Sequence, residues 1–262
     1  MKANINGIQF GYEVFGQGGA PIVLIHGFGL NRKIWIPMAA EHLSSHKVIL
    51  PDLRGHGESD VFEGTSLMST LAEDLVNLLE YMGVKKAIVC GHSMGGYVTL
   101  AFARHYPQRL SGMGLITTRA EADTEEGRAG RYEMVEKVQK QGAAPLADSL
   151  APRLTKDESL VREMRAMLAE ASPAGIISAL KGMAARPDRS NMLPEIAVPA
   201  LVVAGVQDQI IDLGDAKEMA DALPDGSFLP IPEVGHLPML ESPEALGKGL
   251  LTLIRRVEAL EG

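Results

Sequence analysis

Apolar and polar residues follow two different rhythms along this chain. Near the start, Ile5-Asn6-Gly7-Ile8 sets an Asn-Gly pair between two short arms, the second reading Ile8-Gln9-Phe10-Gly11-Tyr12-Glu13-Val14-Phe15. Asn-Gly supplies the two positive-φ residues that a two-residue hairpin turn needs, so the spacing predicts a β-hairpin. Beyond it the pattern changes. Short runs that are almost wholly apolar recur at Pro21 to Ile25, Lys47 to Leu50, Ala87 to Cys90, Leu110 to Thr117, Ala200 to Ala204 and Ser227 to Ile231. Such runs are expected of parallel strands buried on both faces. Helical periodicity fills the gaps. Leu71, Leu75, Leu78 and Leu79 recur three and four apart within Leu67 to Tyr81, and Gly83 supplies a stop. Met94 to His105, Asp215 to Ala222 and Pro243 to Ala259 are further helix candidates. Strands alternating with helices imply a mostly parallel sheet with helices on both faces, the hairpin adding antiparallel strands at one edge.

One region breaks the alternation. From Arg119 to about Met192 no strand pattern occurs, and Arg131 to Lys140, Ser159 to Ala171 and Ile176 to Ala185 have helical periodicity. A segment of this length without a strand predicts a helical cap inserted into one core domain. The expected division is a core of residues 1–118 and 193–262 with a cap of residues 119–192. The cap holds Met134, Met164, Met167 and Met183. They suit either a flexible apolar lining for a substrate or the packing of cap against core.

Composition narrows the function classes. The 262 residues include 25 basic and 33 acidic side chains, a net charge of −8. That is the wrong sign for a nucleic acid or an anionic membrane, whose phosphates need Lys and Arg. A single cysteine, Cys90, leaves no internal disulfide and no Cys-rich metal site. No apolar run is long enough to span a bilayer and no apolar signal core precedes the hairpin, so a cytoplasmic protein acting on a small molecule is expected.

The candidate chemistry lies at strand ends. Gly91-His92-Ser93-Met94-Gly95-Gly96 follows a strand and opens a helix, matching G-x-S-x-G. In that context the serine occupies a tight, strained turn that raises its hydroxyl above the sheet and sets the Met94 N–H at a helix N-terminus. Serine needs a base, and the base needs a carboxylate to fix its tautomer. Asp208 follows the run Ala200 to Ala204, and His236 follows the last strand candidate. Both stand beyond carboxyl ends of strands, where open parallel sheets bind ligands. Asp212 and Asp52 compete for the acid role, Asp212 being equally placed to cap the next helix. Of the other histidines, His26, His56 and His92 lie in Gly-rich loops suited to orienting backbone, while His42, His46 and His105 lie in or beside helices. His26-Gly27-Phe28-Gly29 is the expected oxyanion loop, with the N–H groups of Phe28 and Met94 converging on the developing negative charge. Asp52 to Ser59 is the expected brace for that loop.

Together His26 to Gly29, Asp52 to Ser59, Gly91 to Gly96, Gly205 to Asp208 and Gly235-His236 make the chain resemble the α/β-hydrolase superfamily. Within it the chain is most similar to the carboxylesterases, 3-oxoadipate enol-lactonases and cofactor-free haloperoxidase-like proteins. The resemblance implies an eight-stranded sheet, a helical cap and a triad of Ser93, Asp208 and His236. It also implies hydrolysis of small carboxylic esters or lactones through an acyl-enzyme, with no cofactor and no metal. Dehalogenases and epoxide hydrolases of this superfamily have aspartate where Ser93 stands, and prolyl aminopeptidases have a different oxyanion loop. Carbon–carbon hydrolases usually have an aromatic residue where this chain has Leu237, a candidate substrate contact. A C–C hydrolase or perhydrolase with the same triad, and a ligand receptor on the same fold, are the alternatives. Enol-lactonases hold a substrate carboxylate, a task open here to Arg119 or Arg131.

Overall fold

The computed structural model describes residues 1–61 and 64–261. Residues 62, 63 and 262, which fall within the expected core, lie outside the described residues. The turn Asn6-Gly7 has φ of 53° and 80°, the left-handed pair that the sequence demanded. It joins β1 (Lys2–Ile5) to β2 (Ile8–Phe15), and the two pair antiparallel with Ile5 opposite Ile8. Then follow β3 (Ile22–Ile25), α1 (Ile36–His42), β4 (Val48–Pro51), α2 (Met68–Tyr81), β5 (Ala87–His92), α3 (Met94–His105) and β6 (Leu110–Ile116). Four helices come next: α4 (Glu125–Gln141), α5 (Ala144–Leu154), α6 (Glu158–Ala169) and α7 (Pro173–Ala184). The chain closes with β7 (Ala200–Gly205), α8 (Leu213–Asp221), β8 (Gly226–Ile231), α9 (Pro238–Glu241) and α10 (Pro243–Glu261).

The eight strands form one sheet in the order β1-β2-β4-β3-β5-β6-β7-β8. β1, β2 and β4 pair antiparallel, and every pairing from β4 to β8 is parallel. All residues of β3, β4, β5 and β7 are buried, which is why their sequences lack alternation. β8, at the edge, is half-exposed. No described helix is long and apolar enough to cross a membrane.

The order places the site. After β3 the chain turns to one side to make β4, and after β5 to the other side to make β6. Connections that leave two adjacent strands in opposite directions open a crevice at their carboxyl ends. The β3–β5 pair is that switch point here.

α5 departs from the expected pattern. Its sequence APLADSLAPRL carries Pro145 in the first turn and Pro152 in the last. Pro145 costs nothing there, because the first turn's N–H groups have no partner within a helix. Pro152 lies inside the last turn and has no N–H to give the Asp148 carbonyl, so α5 forgoes that hydrogen bond.

Candidate active site

The G-x-S-x-G segment forms a β5-to-α3 turn. Ser93 has φ 52° and ψ −115°, a backbone conformation costly for any residue with a Cβ. The surroundings hold it there. Its N–H donates to the Ile116 carbonyl at 2.9 Å, and its carbonyl accepts from Gly96 N–H at 2.8 Å and the Thr118 hydroxyl at 2.7 Å. The flanking glycines are required by close approach. A Cβ on Gly91 would stand 2.0 Å from the Gly95 carbonyl oxygen, and one on Gly95 would stand 2.6 Å from that of Ile25.

Asp208 and His236 are drawn together from the ends of β7 and β8. His236 Nδ1 and Asp208 Oδ2 are 2.7 Å apart, with both side chains at 2% exposure or less. Asp208 Oδ1 accepts the N–H groups of Ile210 at 2.8 Å and Ile211 at 3.2 Å. The carboxylate is therefore fixed by backbone donors and directs Nδ1–H of the imidazole toward itself. The rival Asp212 is the N-cap of α8, accepting Gly214 N–H at 2.7 Å, and is exposed. Asp52 is buried and bound to the Arg32 guanidinium and to the N–H groups of Arg32 and Glu58.

The loop after β3 lies against Ser93. A Cβ on Gly27 would come within 2.6 Å of His92 Nδ1 and 3.3 Å of Ser93 Cβ. Phe28 lines the cavity, and the Met94 N–H is the first of α3. The segment 52–59 braces this loop. His26 Nε2 accepts the Leu53 N–H at 3.0 Å, and Arg54 forms a two-pronged pair with Asp74, both contacts at 2.6 Å.

Three histidines serve as neutral struts. His26 binds backbone through both nitrogens, His56 Nδ1 donates to the Arg54 carbonyl, and His92 Nε2 donates to the His236 carbonyl at 2.8 Å. Burial disfavours the charged form of each: His26 and His92 are shifted downward, and His56 is pushed down to about 3. Such groups take up protons in the unfolded chain first, near its ordinary pKa of ~6.5. Stability is therefore complete above that pH and declines below it, by up to about 1.4 kcal/mol per pH unit for His56 alone until pH 3 is approached. The melting temperature is expected to fall steadily between pH 6.5 and 4.5; a flat profile would contradict the neutral-strut reading.

Ser93, His92 and His236 open onto a cavity of about 460 Å³ walled by α4, α5 and α7. Met134 and Met183 are on its wall; Met164 is packed in the core and Met167 faces a smaller polar recess beside Arg32. Arg119 and Arg131, expected at the substrate, both line the cavity. Arg131 is held by Asp123, which Arg186 also contacts at 2.7 Å. Burial pushes the Asp123 carboxyl upward, but the two guanidiniums outweigh it and hold it below its usual range. Arg119 donates to the Ile210 carbonyl at 2.7 Å. Leu237 is a correction. The chain turns into α9 directly after His236, so the Leu237 side chain points into the core, is fully buried and does not line the cavity.

Two residues escaped the sequence reading. Arg153 lines the cavity from α5, a helix the pattern did not disclose. Glu241 organises the backbone around His236, although its position five residues on carries no chemical signature. The Pro that follows, starting α9 at residue 238, was the available cue for a turn that brings residue 241 back.

Comparison with known proteins agrees with this architecture. A thermophilic esterase from Thermogutta terrifontis, solved with malate bound, superposes with a TM-score of 0.94 at 36% identity, covering 98% of each chain. The enol-lactonase from Burkholderia xenovorans LB400 superposes with a TM-score of 0.89 at 25% identity, covering 97% of this chain and 100% of that one. 3-Oxoadipate enol-lactonase 1 of Acinetobacter baylyi is 30% identical over 254 residues, 93% of this chain and 92% of that protein. Residues 20–243, from just before β3 to the start of α10, match the family described as alpha/beta hydrolase fold. With the strained serine turn, the switch-point crevice and the strand-end acid and histidine all falling inside that match, the chain belongs to the α/β-hydrolase superfamily, in the branch of its esterases and enol-lactonases.

Proposed function

We propose that this hydrolase is a serine enzyme that cleaves small carboxylic esters or lactones through an acyl-enzyme. The observation that carries the reading is the buried 2.7 Å His236–Asp208 contact at a cavity onto which Ser93 also opens. Ser93 attacks the ester carbonyl while His236 takes its proton, and Asp208 steadies the imidazolium that results. The N–H groups of Phe28 and Met94 receive the oxyanion. His236 then protonates the leaving alcohol, or the leaving oxygen of an opened lactone. Water activated by His236 releases the acid and restores Ser93. Residues 119–192 act as the cap that sets the size of the acyl and alcohol groups. Hydrolysis of p-nitrophenyl esters from acetate to decanoate tests this, with an optimum at short chains expected.

The charge of the cavity refines the substrate. Arg119, Arg131 and Arg153 line it, against Asp123, which is already bound by Arg131 and Arg186. An excess of guanidinium in a protein of net charge −8 suits an ester or lactone that carries a second, free carboxylate. Arg153, on the wall helix, is the proposed carboxylate partner, with Arg119 deeper. Arg153→Gln is expected to raise KM about tenfold for the monomethyl ester of a short dicarboxylic acid and to leave kcat in place. KM for a neutral methyl ester of equal length should not move; an equal rise for both esters would remove Arg153 from substrate recognition.

A further inference from the structure

We infer that Glu241 is a positioning residue that holds the loop of His236 and ties it to the wall of the substrate cavity. This rests on the proposed role of His236 as the base. The three successive N–H groups of Gly235, His236 and Leu237 point at two acceptors. Gly235 N–H donates to Glu241 Oε2 at 3.0 Å and Leu237 N–H to Glu241 Oε1 at 2.9 Å. The N–H between them, that of His236, donates to the Leu154 carbonyl at 2.8 Å. Leu154 is the last residue of α5, and the next residue, Thr155, donates its hydroxyl to Glu241 Oε2 at 2.9 Å. Glu241 thus bridges two segments distant in sequence through one carboxylate. Nothing spare is left in the arrangement: a Cβ on Gly235 would lie 3.0 Å from the Leu154 oxygen and 3.4 Å from both Glu241 oxygens.

The carbonyl side of His236 is held separately, by His92 Nε2 at 2.8 Å and the Thr117 hydroxyl at 3.1 Å. Those two donors come from the core sheet. The Glu241 and Leu154 acceptors are the connection to α5, whose Leu146, Ser149, Leu150, Arg153 and Leu154 line the cavity. A shift of the α5 end therefore carries the His236 backbone with it. The inference is that the pose of the base and the shape of the wall are set together, so that the imidazole is aligned for proton transfer only when α5 is seated.

Glutamine is the informative replacement. It keeps one carbonyl oxygen but turns an NH2 group toward a backbone N–H, so either Gly235 or Leu237 loses its acceptor. Glu241→Gln is expected to lower kcat about 10- to 100-fold, as small misplacements of a catalytic group do, with KM nearly constant. The deshielded proton NMR signal of the His236–Asp208 hydrogen bond should shift or broaden in the same variant. Thr155→Val removes one of the two contacts between this loop and the end of α5, the Leu154 carbonyl staying on His236 N–H, and also the acceptor of the Asp157 N–H; a smaller fall in kcat is expected. A folded Glu241→Gln with kcat within about twofold of wild type overturns the inference, as does a loss carried equally by kcat and a weakened KM with the NMR signal unmoved. Should Glu241→Gln fail to fold, Thr155→Val decides: an unaltered kcat overturns the latch. Ser93→Ala run alongside separates the two levels. If it retains turnover, the base assignment falls and takes the latch with it; if it is inactive while Glu241→Gln is fully active, the latch alone falls.

Discussion

Ser93→Ala is expected to lower kcat/KM by about 10⁶-fold, the loss seen when the nucleophile of a serine triad is removed. The variant should remain folded. Alanine meets the same backbone strain at φ 52° as serine does, and the bonds that hold the turn are made by the Ser93 backbone, not its hydroxyl. The cavity wall and the proposed oxyanion donors are otherwise untouched, so ligands should still bind. The check is hydrolysis of a p-nitrophenyl ester together with a melting curve and labelling by a fluorophosphonate. Wild-type rates, or labelling that persists in the alanine variant, would put the nucleophile elsewhere.

Asp208→Asn carries the second large effect, about 10⁴-fold in kcat. The argument is about tautomers. Asparagine can keep its carbonyl oxygen on the N–H groups of Ile210 and Ile211, which now bind Oδ1. Its NH2 group then faces His236 Nδ1, where Oδ2 stood at 2.7 Å. A donor at that point makes Nδ1 the acceptor and sends the imidazole proton to Nε2, so the nitrogen proposed to take the serine proton already carries one. The protein should lose little stability, because the backbone contacts survive. Asp212→Asn is the control. Asparagine caps a helix as well as aspartate does, so activity should stay near wild type. A larger loss from Asp212→Asn than from Asp208→Asn would show that the wrong carboxylate had been chosen.

Much of this was readable in the chain because it rests on local rules. Asn6-Gly7 reads as a tight turn, and the apolar runs read as strands covered on both sides, which β3, β4, β5 and β7 are and the edge strand β8 is not. The glycines around Ser93 signal a close approach, and the backbone does come close at Gly91 and Gly95. What stayed hidden depends on contacts between distant segments. The α5 helix is hidden by two prolines, one in the first turn where it is harmless and one in the last turn where it gives up a hydrogen bond. Arg153 was therefore one cation among several in a polar stretch. Leu237 was expected at the substrate from its neighbour, but a turn into α9 sends adjacent side chains in different directions. Glu241 shows the limit most clearly: it meets Thr155, and its neighbour His236 meets Leu154, only after the sheet is complete.

The gap between β6 and β7 also has a consequence for how the protein is made. β6 ends at Ile116 and its neighbour β7 begins at Ala200. During synthesis at ~5–20 residues per second, the β6 edge waits about 4–17 seconds for the strand that covers it. Its sequence, LSGMGLI, carries no charge to discourage pairing with another chain. The ribosome must emit the whole helical segment in that interval, and neither Asp208 nor His236 yet exists. Nascent chains stalled before β7 should be both inactive and prone to join edge to edge, so slowing translation through codons 117–199 is expected to lower the yield of folded protein.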